Sequence, residues 1–197
     1  MIGRTKLASV RAVAVGASAG GVEALGVLLA ALPSTLDVPV FVVLHLAASR
    51  RSLLPEIFGA QCARPVREVE DKEPIVDGTV YIAPPDYHVL IDTGGQLSLS
   101  TDPPVHYSRP SIDVLFESAA DAYGSRLLAV LLTGASEDGA RGLLRVRTVG
   151  GSTIVQDPRE ALVPTMVQAA IDCGAAEQVM TLAAIAEVLG GLSQARA

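Results

Sequence analysis

Apolar residues fall along this chain in two kinds of run that alternate. Short runs at residues 10–15, 39–44 (PVFVVL), 127–132 (LLAVLL) and 152–155, apolar but for Arg11, Ser152 and Thr153, have the length and β-branched content of strands buried on both faces. Between them lie longer stretches with apolar positions at helical spacing. Val22, Leu25, Leu28, Leu29 and Leu32 form one stripe, which Pro33 ends. Further helices are expected from a Ser49 cap to about residue 58, from Pro110-Ser111 to Tyr123 with Gly124 closing it, and from 139 to about 149. Two more are expected from Pro164 to near Gly174 and from a Thr181 cap to Gly190-Gly191. Residues 66–69 and 79–82 read as additional strands. Residues 87–91 and 96–100 flank Thr93-Gly94-Gly95, the sign of a hairpin. Strands that alternate with helices predict an α/β fold: a doubly wound, mostly parallel sheet flanked by helices, with one inserted antiparallel hairpin. The 197 residues suit a single domain, with its core at about residues 12–190 and short termini beyond it.

Composition narrows the class. Half the residues are hydrophobic (50%), only 4% are aromatic and Trp is absent, so aliphatic side chains build the core. The net charge of −6 argues against nucleic acid as a partner, because phosphate binding needs a basic face. No apolar run reaches the length of a membrane span, and residues 1–11 lack the apolar stretch of a secretory signal. A cytoplasmic protein without membrane insertion is expected. Cys62 and Cys173 stand in no metal or redox motif and read as reduced, structural thiols. The three His have no metal-ligand spacing, so no metal and no cofactor are expected.

In such a sheet, ligands bind beyond the carboxyl ends of the strands. Three chemical groups fall there: Ser18 after the first strand, His45 at the end of the second, and Asp138 in the loop after LLAVLL. Ser18 sits in Gly16-Ala17-Ser18-Ala19-Gly20, the sequence form of a nucleophile elbow. A small-residue turn before a helix also suits an anion, and on the residues alone nucleophile and phosphate-binding turn stand level. The missing G-x-G-x-x-G and P-loop Lys count against a nucleotide. A strand-end His is often only a hydrogen-bonded structural group, and Asp138 could simply cap the next helix. Together the three are the parts of a Ser-His-Asp triad. His88, before the hairpin, and His106, in a Pro-rich loop, are weaker candidates.

Several segments resemble one family. They are VAVGASAGGVEAL at 13–25, VVLHL at 42–46, GTVYIAPPDYH at 78–88, RPSIDVLF at 109–116, LLTGASEDGARGL at 131–143 and QDPREA at 156–161. In content and order they resemble the catalytic domain of CheB-type protein-glutamate methylesterases, over roughly residues 13–189. The resemblance implies a serine hydrolase that demethylates γ-methyl glutamate esters on chemoreceptor cytoplasmic helices and releases methanol; some members also deamidate receptor glutamines. It places the nucleophile on Ser18, the histidine on His45 and the aspartate on Asp138. Backbone N–H groups at Ala19 and Ala135 are the expected oxyanion donors, and Arg109 a substrate-binding cation. Arg50 and Arg51 could meet an acidic flank of the receptor.

There are departures from the family pattern. Ala135 stands where the family commonly has Met, Ala19 where it often has Thr, and Ser108 where His is frequent. Residues 164–168 read PTMVQ where relatives tend to have Met-Pro. These bear on recognition and rate more than on reaction class. Only about a dozen residues precede the first strand, so the receiver domain of the best-known members is not expected. Either a separate response regulator controls the enzyme or it is constitutive. A non-catalytic signalling module of the same fold, and an esterase acting outside chemotaxis, are the alternative readings.

Overall fold

A computed structural model describes residues 4–45 and 52–192. After a short helix α1 (Arg4–Ala8) come β1 (Ala12–Ala17), α2 (Gly21–Ala30), β2 (Val40–Leu44), α3 (Leu54–Gly59), β3 (Val66–Glu68) and β4 (Val80–Ile82). The hairpin β5 (His88–Asp92) and β6 (Gln96–Ser100) follows, then α4 (Ile112–Tyr123) and β7 (Leu127–Leu131). The chain continues through α5 (Ala140–Thr148), β8 (Ser152–Gln156), α6 (Thr165–Asp172), β9 (Gln178–Met180) and α7 (Leu182–Gly190).

Seven strands form one parallel sheet in the order β3-β4-β2-β1-β7-β8-β9. β1 is central, paired with β2 on one side and β7 on the other. Its side chains alternate between two cores, as a strand buried on both faces requires. Val13, Val15 and Ala17 join Leu25, Leu28, Leu29, Phe58, Ile185 and Leu189, so α2, α3 and α7 cover that face. Ala12 and Ala14 join Ile112, Leu115, Phe116, Leu143, Val146, Met166 and Val167, so α4, α5 and α6 cover the other. The hairpin adds Val89, Ile91 and Leu97 to the second core and forms its own two-stranded sheet. This is the expected doubly wound architecture.

The boundaries shift by a residue or two from those read in the sequence. Two short elements carried no signal there. α1 has five residues, and β9 is a three-residue edge strand with only partial burial. The helix expected from Ser49 starts at Leu54, with Leu53 at its N-cap; Ser49, like Arg50 and Arg51, lies outside the described residues.

Where helices press on the sheet or on each other, glycine makes room. A Cβ at Gly16 would overlap the Ile112 side chain, so β1 and the start of α4 touch directly. A Cβ at Gly142 would lie 2.7 Å from the Phe116 Cβ and 2.8 Å from the Asp113 carbonyl oxygen. α4 and α5 therefore pack backbone to backbone at their N-terminal ends. Gly→Ala inside a helix ordinarily stabilises by about 0.5–1 kcal/mol. At Gly142 the backbone contact reverses the sign, since overpacking costs about 1–3 kcal/mol. Gly142→Ala is expected to lower the melting temperature, by roughly 2–4 °C for each kcal/mol lost. A thermal melt showing a rise would refute this.

Candidate active site

Ser18 and His45 are the residues immediately after Ala17 and Leu44, which are paired across β1 and β2. The His45 N–H donates to the Ala17 carbonyl (3.0 Å), and the Ser18 N–H donates to the Thr133 carbonyl beyond β7 (2.9 Å). Three neighbouring strand ends are thus stitched together. Ser18 is partly exposed, and Gly20 takes the left-handed conformation (φ 79°) that turns the chain into α2. A cleft of about 280 Å³ opens beside this turn, lined by Gly20, Glu23, Thr133, Gln156, Glu160 and Leu162 among others.

Asp138 is fully buried and faces hydrogen-bond donors alone. Its Oδ2 meets His45 Nε2 at 2.7 Å and accepts from the Ile112 N–H at 2.7 Å. Its Oδ1 accepts from the Ser111 hydroxyl (2.8 Å) and the Asp113 N–H (3.0 Å). Ile112 and Asp113 open α4, whose N-terminus favours negative charge. Burial pushes the Asp138 carboxyl up, but the bond to His45, the Asp113 and Ile112 N–H groups and the Ser111 hydroxyl outweigh it, so its pKa falls below the ordinary value. An ionised carboxylate only accepts, so His45 Nε2 is the nitrogen that donates, and in the neutral ring the lone pair is on Nδ1. The ring is used in the reverse sense from chymotrypsin-type triads, where Nδ1 faces the aspartate. The Ser108 hydroxyl lies 3.4 Å from Nδ1.

The structure thus brings Ser18, His45 and Asp138 to one edge. Of the expected oxyanion donors, Ala135 is exposed on its loop, and Ala19 turns its carbonyl to Thr133 Oγ1 (2.9 Å). The Gly134 N–H is taken by the Val163 carbonyl (3.0 Å). Arg109 is held by the protein itself. Its Nε and Nη2 bond Asp86 Oδ1 (3.0 and 2.7 Å), and Nη1 bonds the carbonyls of Thr101 (2.7 Å) and Asp102 (3.1 Å). Four of the five guanidinium N–H donors are used in this way, which fixes the chain leading into Ser111.

Sequence reasoning missed the residues that hold Asp138. Ser111 caps α4, accepting from the Val114 N–H while donating to Asp138. His88 is buried rather than a loop residue; its Nδ1 accepts from the Ser111 N–H (3.1 Å) and its Nε2 faces the Pro103 carbonyl (3.2 Å). The available signal was the Ser-x-Asp start of the helix in RPSID. Both cysteines are free thiols, and no cluster of metal-ligating side chains occurs among the described residues. No helix among the described residues is long and apolar enough to cross a membrane.

A family model described as CheB methylesterase matches residues 13–189. The chain belongs to the CheB methylesterase family. It is 40% identical over 183 residues to a putative protein-glutamate methylesterase/protein-glutamine glutaminase of Leptospira interrogans, covering 93% of this chain and 95% of that protein. A protein-glutamate methylesterase/protein-glutamine glutaminase of Rhodopseudomonas palustris is 38% identical, covering 98% of this chain but 54% of the relative. This chain thus spans about half the length of that protein. The crystal structure of the Thermotoga maritima CheB methylesterase catalytic domain superposes with a TM-score of 0.88 at 31% identity, covering 93% of this chain and 98% of that one.

The Asp138 shift has a consequence for stability. Its folded pKa lies below the unfolded value of about 3.9, so its contribution is present above that pH and is lost on further acidification. Urea unfolding of the protein and of Asp138→Asn at several pH values should show a stability gap that narrows below about pH 4. A gap independent of pH would count against an ionised, bonded Asp138.

Proposed function

We propose that this chain is a serine esterase in which Ser18 is the nucleophile, His45 the base and Asp138 the carboxylate that orients it. The observation that carries this reading is the 2.7 Å contact from His45 Nε2 to a buried carboxylate, which leaves Nδ1 as a base on the residue next to the Ser18 turn. Ser18 Oγ attacks the ester carbonyl and its proton passes to Nδ1. The tetrahedral intermediate collapses, and methanol leaves with that proton. Water, deprotonated at the same nitrogen, then hydrolyses the acyl-enzyme and frees the carboxylate and Ser18. The N–H groups of Ala19 and Ala135 serve as oxyanion donors, supported by the N-terminus of α2.

The substrates in this reading are γ-methyl glutamate esters on cytoplasmic chemoreceptor helices, with receptor glutamines as a second class that yields ammonia. The names of the Leptospira and Rhodopseudomonas relatives, which carry both activities, support it. Ser18→Ala is expected to lower methanol release from methylated receptor by about 10⁴–10⁶-fold. An unchanged rate refutes the nucleophile. Fluorophosphonate labelling of Ser18 that requires His45 excludes a non-catalytic module, and a methylated receptor left untouched by unlabelled protein from a preparation competent for that labelling points to an ester outside chemotaxis.

Asp138→Asn is a sharper test than truncation. All four partners of the carboxylate are donors, so neither orientation of an amide satisfies them. An amide NH₂ facing His45 would move the ring proton to Nδ1 and remove the base. A loss of about 10⁴-fold in kcat is expected, the size of the same tautomer error in trypsin-type triads. A loss under tenfold would sink the assigned ring orientation.

A further inference from the structure

Asp113 is a second fully buried carboxylate beside the site, and neither its motif nor the mechanism above accounts for it. Its N–H donates to Asp138 Oδ1 (3.0 Å). Its own Oδ1 accepts from the N–H groups of Gly139 (3.0 Å) and Gly142 (2.7 Å), the cap and first turn of α5. The relation is reciprocal. Asp138, in the turn that enters α5, sits on the N-terminus of α4, while Asp113, in the first turn of α4, sits on the N-terminus of α5. Gly139 takes a left-handed conformation (φ 97°) that glycine adopts readily, and Asp113 holds this exit of the turn carrying Asp138.

Capping alone explains this poorly. A neutral side chain can cap a helix, whereas a second buried carboxylate next to Asp138 adds like-charge repulsion. The other oxygen, Oδ2, is buried without a hydrogen bond. The groups around Asp113 are Asp138 from the α5 turn, Arg141 from α5 (Nε 3.6 Å from Oδ2) and Glu117 on its own helix. His106 from the 105–108 turn completes the set (Nε2 3.6 Å from Oδ2). His88 lies one bond further, through Ser111. Burial, with Asp138 adding to it, pushes the Asp113 carboxyl up, which marks a charge held at a cost.

We propose that Asp113 is a positioning residue for the His45–Asp138 pair: its carboxylate oxygen pins the turn that aims Asp138, and its charge adds to the field that stabilises the His45 imidazolium. This rests on the reading of Asp138 as the carboxylate that orients His45, and it extends the working group to two carboxylates on paired helix ends.

The two parts separate by substitution. Asp113→Asn keeps an oxygen for Gly139 and Gly142 and removes the charge. Asp113→Ala removes both. Asp113→Ala is expected to lower kcat roughly 10–100-fold, as for small misplacements of a catalytic group, with KM for methylated receptor nearly unchanged. Asp113→Asn should recover most of that loss while moving the acid-side inflection of kcat/KM to lower pH by about 0.5–1 unit. A second measurement is independent of turnover. In a Ser18→Ala background, the low-field proton resonance of His45 Nε2–H should weaken or shift in Asp113→Ala and persist in Asp113→Asn. A folded Asp113→Ala with unchanged kcat and resonance overturns the positioning role. An Asp113→Asn with an unmoved acid limb overturns the charge role, and this variant decides the matter if Asp113→Ala does not fold. Because the resonance is read without Ser18, a failure there is distinct from a failure of the nucleophile assignment.

Discussion

A carboxylate taken fully out of water is costly unless hydrogen-bond donors replace the water, and the site is built around the way Asp138 meets that demand. Two donors are the first N–H groups of α4, one is the hydroxyl capping the same helix, and the fourth is the imidazole. None can move alone. The start of α4 is pressed against β1 where Gly16 lacks a side chain, and against α5 where Gly142 does. The residues that appear only to pack a helix on a sheet therefore also set the direction in which a negative charge points.

That demand also orients the ring of His45. Oδ2 accepts a hydrogen bond from Nε2–H, so Nδ1 is turned away from the carboxylate, toward the Ser108 hydroxyl. His45 is held from behind as well, because its backbone N–H donates to the carbonyl of Ala17, the residue before Ser18. Imidazole and serine are thus placed by one parallel strand pair rather than by a loop, the rigid kind of support that catalytic groups need.

Much of this was readable in advance. Ser18 and His45 follow the ends of apolar runs and Asp138 lies in the loop after a third, and the rule that such ends gather on one edge is independent of the distance between them in sequence. The hairpin and the two-faced strands followed from turn residues and run lengths. What stayed hidden acts through hydrogen bonds between distant segments. Nothing in the local pattern around His88 says that its ring accepts from Ser111, or that Arg109 reaches back to Asp86 rather than outward. Asp113 drew no notice in the sequence; its partners are the amides of a helix that begins well downstream. The edge strand β9, three residues long, has too few positions to show a period.

The central place of β1 has a consequence for how the enzyme comes into being. Its neighbours, β2 and β7, come from very different distances along the chain, and β7 pairs with it only after the whole hairpin and α4 have been threaded between them. Long-range parallel pairing is entropically costly and forms late. The edge that gathers Ser18, His45 and Asp138 is therefore complete only once β1 is paired on both sides. Hydrolytic activity regained after dilution from denaturant reports the closing of the complete sheet, while helix content can return earlier.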